Sequence, residues 1–126
     1  PIVVMPPLAR PVLESMKARG ADFSYLTGIQ EYITALPFET YNFTESKYLG
    51  ADDCEFVDGF HGGEVVYQRM IASIIVQNPN SALVPHVNIG ALLRSIRKSS
   101  GHVLTTKSST EYTLAETDFL QIGCQK

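Results

Sequence analysis

The chain has 126 residues, 44% of them hydrophobic, which suffices for one packed core and is too few for two ordinary domains. Ten Lys and Arg against thirteen Asp and Glu give a formal charge of -3, so there is no basic stripe to follow a phosphate backbone and nucleic acid is not an expected partner. The longest apolar stretch, residues 70–76, falls far short of the ~20 residues a bilayer span needs, so no membrane span is expected in this segment.

The N-terminus as given shows no basic region followed by an apolar core, so no targeting signal is expected within this segment. The first residue is Pro1, and Ile2-Val3-Val4-Met5 reads as a buried strand with no lead-in; the expectation is that the true start lies upstream. Met removal ahead of Pro1 in a complete small protein is the plainer alternative. Cys54 and Cys124 are the only cysteines. Their spacing excludes a Cys-x-x-Cys knuckle or redox pair and leaves room for one disulfide. Low Lys content, many Asn, Ser, Thr and Tyr, and the formal acceptor triplet Asn42-Phe43-Thr44 lean toward an exported protein.

In chain order, Ile2 to Met5 predicts a short strand that Pro6-Pro7 must end, because proline cannot donate to a ladder. Pro11 suits the first turn of a short helix presenting Val12, Leu13 and Met16, with Arg19 and Gly20 closing it. Tyr25, Leu26, Ile29, Tyr32, Ile33 and Leu36 recur at helical spacing before Pro37, and the Tyr25, Ile29, Tyr32 stripe is expected to be core. Phe38 to Thr44 alternates as a second strand with Tyr41 and Phe43 inward. Residues 45–56 are polar and acidic and read as a loop. Val65, Val66, Met70, Ile71, Ile74 and Ile75 then mark a helix from Glu64 to about Asn78-Pro79, with Gln68, Arg69 and Ser73 on its polar face.

Asn88 can cap a further helix through Leu92, Leu93 and Ile96, with Arg94, Arg97 and Lys98 toward its C-terminal end and Gly101 as its stop. Residues 102–106 and 112–114 look like strands around a Lys107-Ser108-Ser109-Thr110 turn, and residues 118–122 like a third. Strands alternating with helices over the first 76 residues predict an α/β fold with a mainly parallel sheet, to which the C-terminal extension adds antiparallel edge strands. Residues 1–76 and 77–126 are expected to form one compact unit.

The chemistry concentrates at Asp58-Gly59-Phe60-His61, followed by Gly62-Gly63-Glu64 and the apolar helix. A carboxylate three residues before an imidazole can fix its tautomer and aim it as a general base. Gly59 frees the backbone between them, and Gly62 and Gly63 would keep bulk away from the ring so that a substrate can approach. Asp58 and His61 thus supply two members of a triad. An activated Ser in a recognisable turn is missing: Ser24, Ser73, Ser99 and Ser100 have no nucleophile-elbow context.

The run Thr40-Tyr41-Asn42-Phe43-Thr44-Glu45-Ser46, the polar loop Asp52-Asp53-Cys54-Glu55-Phe56-Val57 and the Asp58-Gly59-Phe60-His61 tetrad ahead of a helix resemble the C-terminal catalytic block of SGNH (GDSL-type) hydrolases. Ile2-Val3-Val4-Met5-Pro6-Pro7 resembles the strand preceding that block. The likeness spans about residues 1–76 and is strongest to bacterial branches acting on cell-surface polymers, such as D-alanine transfer proteins of teichoic acid synthesis and O-acetyltransferases of alginate. It implies a partial three-layer α/β/α, flavodoxin-like fold, with His61 as base, Asp58 as orienter, and the Ser far upstream in the same polypeptide. It also implies an esterase or acyltransferase acting on an acylated small molecule or cell-surface polysaccharide, with no cofactor and no metal. The Gly-Asp-Ser nucleophile block and the Gly and Asn blocks of that family are lacking here. Without oxyanion donors, worth on the order of 3 kcal/mol each, this chain alone is expected to be inactive.

Three other readings are carried. Asp52, Asp53, Glu55 and Asp58 beside His61 can be read as an oxygen-rich cation site, but they lack EF-hand spacing, and most acidic clusters in loops are simply solvated. Pro1-Ile2-Val3-Val4 resembles the opening of tautomerase-like enzymes, although Pro6-Pro7 and Gly20 interrupt the long elements that fold needs. A catalytically silent binding or structural domain of SGNH-like shape is the remaining alternative, since function resides in the site and not the fold. His86 and His102 lack a carboxylate at useful spacing and are expected to be structural or exposed.

Overall fold

A computed structural model describes residues 1–20, 24–106 and 117–124. β-branched residues dominate β1 (Ile2–Met5), which pairs in parallel with β2 (Glu39–Asn42), Ile2 opposite Glu39 and Met5 opposite Asn42. Beyond the strands the chains stay side by side: the Phe43 N–H donates to the Met5 carbonyl at 3.0 Å and the Leu8 N–H to the Thr44 carbonyl at 3.1 Å. A parallel pair requires a long crossover. Here two helices supply it, α1 (Arg10–Ala18) and α2 (Tyr25–Thr34).

Pro11 lies in the first turn of α1, as expected, but Ala9 at its N-cap has no side-chain oxygen to offer the helix. Asp53 substitutes from 43 residues away: Oδ1 accepts from the Arg10 N–H at 2.7 Å and Oδ2 meets the Arg10 guanidinium at 3.2 Å. A carboxylate at this end also complements the helix dipole.

The alternation of β2 places Tyr41 and Phe43 inward, their rings stacked with centroids 5.9 Å apart. They pack on Met70 and Ile74 of α3 (Glu64–Gln77), with Ile2, Leu49 and Leu83 at the margin. Burying each such side chain contributes about 1.5–3 kcal/mol. A second cluster joins Ala9, Phe56 and Val66, flanked by Ala51 and Leu120. α4 (Ile89–Ser99) packs on α3 and buries Ile96, and its predicted cap forms, the Asn88 side chain accepting from the Ala91 N–H at 3.0 Å. The acidic loop contains two short 3-10 turns, Ser46–Leu49 and Asp53–Glu55.

The sheet has two strands among the described residues. Residues 102–106 are not a strand, because their polar groups serve α3 instead. Val103 is buried with its carbonyl 3.5 Å from the Val65 N–H, and the Thr105 N–H and hydroxyl donate to the Glu64 carboxylate at 3.0 and 2.7 Å. Those two bonds hold the Glu64 carboxyl below its ordinary pKa against a smaller burial effect. Residues 118–122 are likewise a turn: the Asp118 carboxylate accepts from the N–H groups of Ile122, Gly123 and Cys124. The expected strand at 112–114 and the turn at 107–110 lie outside the described residues.

The α2 stripe is also corrected. Tyr25, Ile29 and Tyr32 are 54%, 41% and 70% exposed, so helical periodicity there marks a solvent-facing apolar surface and not core. On α3 Val65, Val66, Met70 and Ile74 of the apolar stripe are buried as expected and Ile71 and Ile75 half-buried, but Gln68 and Arg69 are also half-buried and not on an open polar face. Over the described residues the chain is therefore α/β, with a mixed set of helices around one parallel strand pair. No described helix is long and apolar enough to cross a membrane.

Candidate functional site

The segment between Phe56 and Gly62 folds back on itself. These two residues form an antiparallel bridge, and the Val57 N–H donates to the His61 carbonyl at 2.8 Å, leaving Asp58-Gly59-Phe60 at the tip. Gly59 makes the reversal with φ 89°, a conformation that an L side chain resists. Its carbonyl accepts from the Ala9 N–H at 2.8 Å. Ala9 follows the carboxyl end of β1, so the tip sits at that end of the strand pair.

Asp58 holds this tip through both oxygens. Oδ1 accepts from the N–H groups of Phe60 at 3.0 Å and His61 at 2.8 Å, and Oδ2 lies 2.8 Å from His61 Nδ1. The sequence places the pair three residues apart, and the turn converts that spacing into contact. His61 is 75% exposed at its side chain and Asp58 29%. Burial pushes the Asp58 carboxyl up, but the His61 ring and the two N–H donors together outweigh it and hold the group below the ordinary aspartate range. With Asp58 ionised, the proton of a neutral ring resides on Nδ1, leaving Nε2 with the basic lone pair.

A depressed folded-state pKa has a definite sign in linkage. The Asp58 interactions contribute fully above the unfolded aspartate value of about 3.9, and the contribution disappears as the pH falls through the lower folded value. Urea unfolding from pH 5 downward is expected to show a shallower acid-side loss of stability in Asp58→Asn than in the parent chain. Identical slopes would remove the carboxylate from the acid response.

The two glycines after His61 have a different task from the one their sequence context implies. Both are buried. A Cβ on Gly63 would collide with the Val103 carbonyl oxygen and come within 2.7 Å of the Glu55 carbonyl oxygen, and one on Gly62 would come within 2.7 Å of Val66. They admit backbone and core, not substrate, to the base of the hairpin.

The residue that sequence reasoning missed is Glu55. Grouped with the solvated loop acids, it is in fact fully buried and makes a bidentate pair with Arg69 of α3, both bonds 2.8 Å. Its Oε1 also accepts from the Gly101 N–H at 3.0 Å, Arg69 Nη2 reaches the Ser100 hydroxyl at 3.0 Å, and the Glu55 carbonyl accepts from Gly63 N–H at 2.8 Å. The root of the hairpin is thus tied to α3 and to the end of α4. The signal that could have found it is Phe56 and Val57 beside it, since an acid flanked by apolar residues needs a partner once buried.

The other acids of that loop are separately engaged. Asp53 caps α1, Asp52 Oδ1 accepts from the Cys54 N–H at 2.8 Å, and Asp58 serves His61. Among the described residues no three or more His, Cys, Asp and Glu side chains converge as a metal site. Cys54 and Cys124 form a disulfide across 70 residues of sequence. His86 and His102 are exposed, while Ser73, Ser99 and Ser100 bond Gln77, the Thr105 carbonyl and Arg69 respectively. Pro1 is exposed at the start of β1, the opposite end of that strand from Ala9 and the tip. In comparison with known proteins, no family model, no curated protein and no solved structure matches the chain.

Proposed function

We propose that Asp58 and His61 are the orienting carboxylate and general base of a serine esterase or O-acyltransferase of SGNH type, with the nucleophilic Ser and the oxyanion donors supplied by an upstream portion of the same polypeptide. The observation that supports the reading is the 2.8 Å contact between His61 Nδ1 and Asp58 Oδ2 on an exposed tip at the carboxyl end of a parallel strand. In this reading β1 and β2 are part of a larger, mainly parallel three-layer α/β/α sheet of flavodoxin-like type. A two-stranded sheet is marginal alone, and parallel strands are normally covered on both faces.

His61 Nε2 takes the Ser proton as the hydroxyl attacks the acyl carbon, and returns it to the leaving alcohol when the tetrahedral intermediate collapses. Asp58 stays ionised and stabilises the imidazolium. Water or an acceptor hydroxyl then removes the acyl group by the same proton path. The chemistry calls for no metal or organic cofactor, and its substrate class is an ester-linked acyl group on a small molecule or a cell-surface polysaccharide.

The test is His61→Ala in the polypeptide that carries the Ser, assayed on an activated ester. Loss of turnover with unchanged circular dichroism is expected; undiminished turnover would exclude the role. A catalytically silent binding domain is the second reading, favoured by the two N–H bonds to Asp58 Oδ1, which hold the turn whether or not the ring transfers protons.

A further inference from the structure

The segment 117–124 folds around Asp118, whose carboxylate gathers the N–H groups of Ile122, Gly123 and Cys124. Two of its residues tie it to the body. Leu120 packs into the Ala9, Phe56, Val66 cluster and lies so close to the tip glycine that a Cβ on Gly59 would stand 3.1 and 3.3 Å from its two methyl carbons. Cys124 is bonded to Cys54, four residues ahead of Asp58. The same short segment therefore presses on the middle of the Asp58–His61 hairpin and is covalently anchored at its root.

We propose that the Cys54–Cys124 disulfide is a redox-operated clamp on this hairpin: oxidised, it holds Leu120 against Gly59 and the tip rigid; reduced, it releases segment 117–124 and loosens the tip. As a control of activity the clamp rests on the acyl-transfer reading, but as a clamp it is measured without any turnover. The reductant is a dithiol. One of its thiolates attacks a cysteine sulfur, forming a mixed disulfide and expelling the other cysteine as thiolate; its second thiol then closes an internal disulfide and expels the first cysteine. Two electrons and two protons pass to the protein, which ends with two thiols, and the dithiol ends as a cyclic disulfide.

The clamp is local because the two ends it joins are local to the hairpin, whereas the Tyr41, Phe43, Met70, Ile74 cluster and the Glu55–Arg69 pair have no residue from segment 117–124 among their described contacts. Its release therefore takes Leu120 from the second cluster and leaves the first one packed.

Amide hydrogen exchange on the oxidised and dithiothreitol-reduced chain tests this. The reporters are the N–H groups of Val57, Phe60 and His61, each bonded within the hairpin, and Ala9, bonded to Gly59. Reduction is expected to speed their exchange about tenfold or more while Met70 and Ile74 in α3 keep their rates. Leu120→Ala with the disulfide intact should speed the same reporters. Unchanged hairpin rates on reduction, an equal rise at Met70 and Ile74, or no effect of Leu120→Ala would each overturn the clamp. None of these outcomes bears on turnover by His61, so failure here and failure of the acyl-transfer reading are separable.

Discussion

Replacing Arg69 by Met is expected to destabilise the fold by about 3–5 kcal/mol, because it strands a buried carboxylate without its counter-charge. Glu55 has no exposed surface and Arg69 only 16% at its side chain, so water cannot take over the lost bonds. The pair itself is not a large net source of stability: two charges removed from water give back most of their attraction as desolvation cost. The asymmetry yields a sharper outcome than the single change alone. Glu55→Leu combined with Arg69→Met removes both charges and is expected to recover at least half of the loss, short of the parent by about 1 kcal/mol for the Gly101 N–H that loses its acceptor. Urea unfolding at pH 7 of the parent, both single variants and the double variant measures this. An Arg69→Met chain within 1 kcal/mol of the parent would mean that the Glu55–Arg69 pair is not buried as described, since that figure is about what an exposed pair contributes.

The same pair marks where the sequence stops being legible. Features set by neighbours within a turn or two of chain could be read: the strand that Pro6 ends, the Pro11 and Asn88 helix starts, the inward alternation of Tyr41 and Phe43, and the Asp58–His61 contact, which is an i, i+3 relation. Features set by distant partners could not. Glu55 finds Arg69 14 residues on, Asp53 caps a helix 43 residues back, and Thr105 reaches Glu64 across 41 residues. Residues 102–106 carry the β-branched content of a strand, yet Val103 and Thr105 are claimed by the first turn of α3, whose Gly63 N-cap has no side chain to offer. Periodicity on α2 correctly gives an amphipathic helix but says nothing about what covers its apolar face, and here Tyr25, Ile29 and Tyr32 meet solvent.

Asp58→Asn separates the two jobs that one carboxylate performs. Asparagine keeps an oxygen where Oδ1 accepts from the Phe60 and His61 N–H groups, so the turn is expected to persist with a loss of about 1 kcal/mol. At the position of Oδ2 it places an NH2, which donates and cannot accept from Nδ1. The ring is then driven to carry its proton on Nε2, the nitrogen that must receive the Ser proton. In triad hydrolases that change of tautomer lowers kcat about 10^4-fold with the geometry intact. If the acyl-transfer reading holds, Asp58→Asn in the Ser-bearing polypeptide should therefore lose about 10^4-fold in kcat, with KM little changed and the unfolding midpoint nearly that of the parent. A silent domain predicts the reverse emphasis: no turnover in either protein, and the same small stability loss. Retention of full turnover by Asp58→Asn would leave Asp58 as a turn-former alone, and would move the search for an orienting group to whatever else reaches His61.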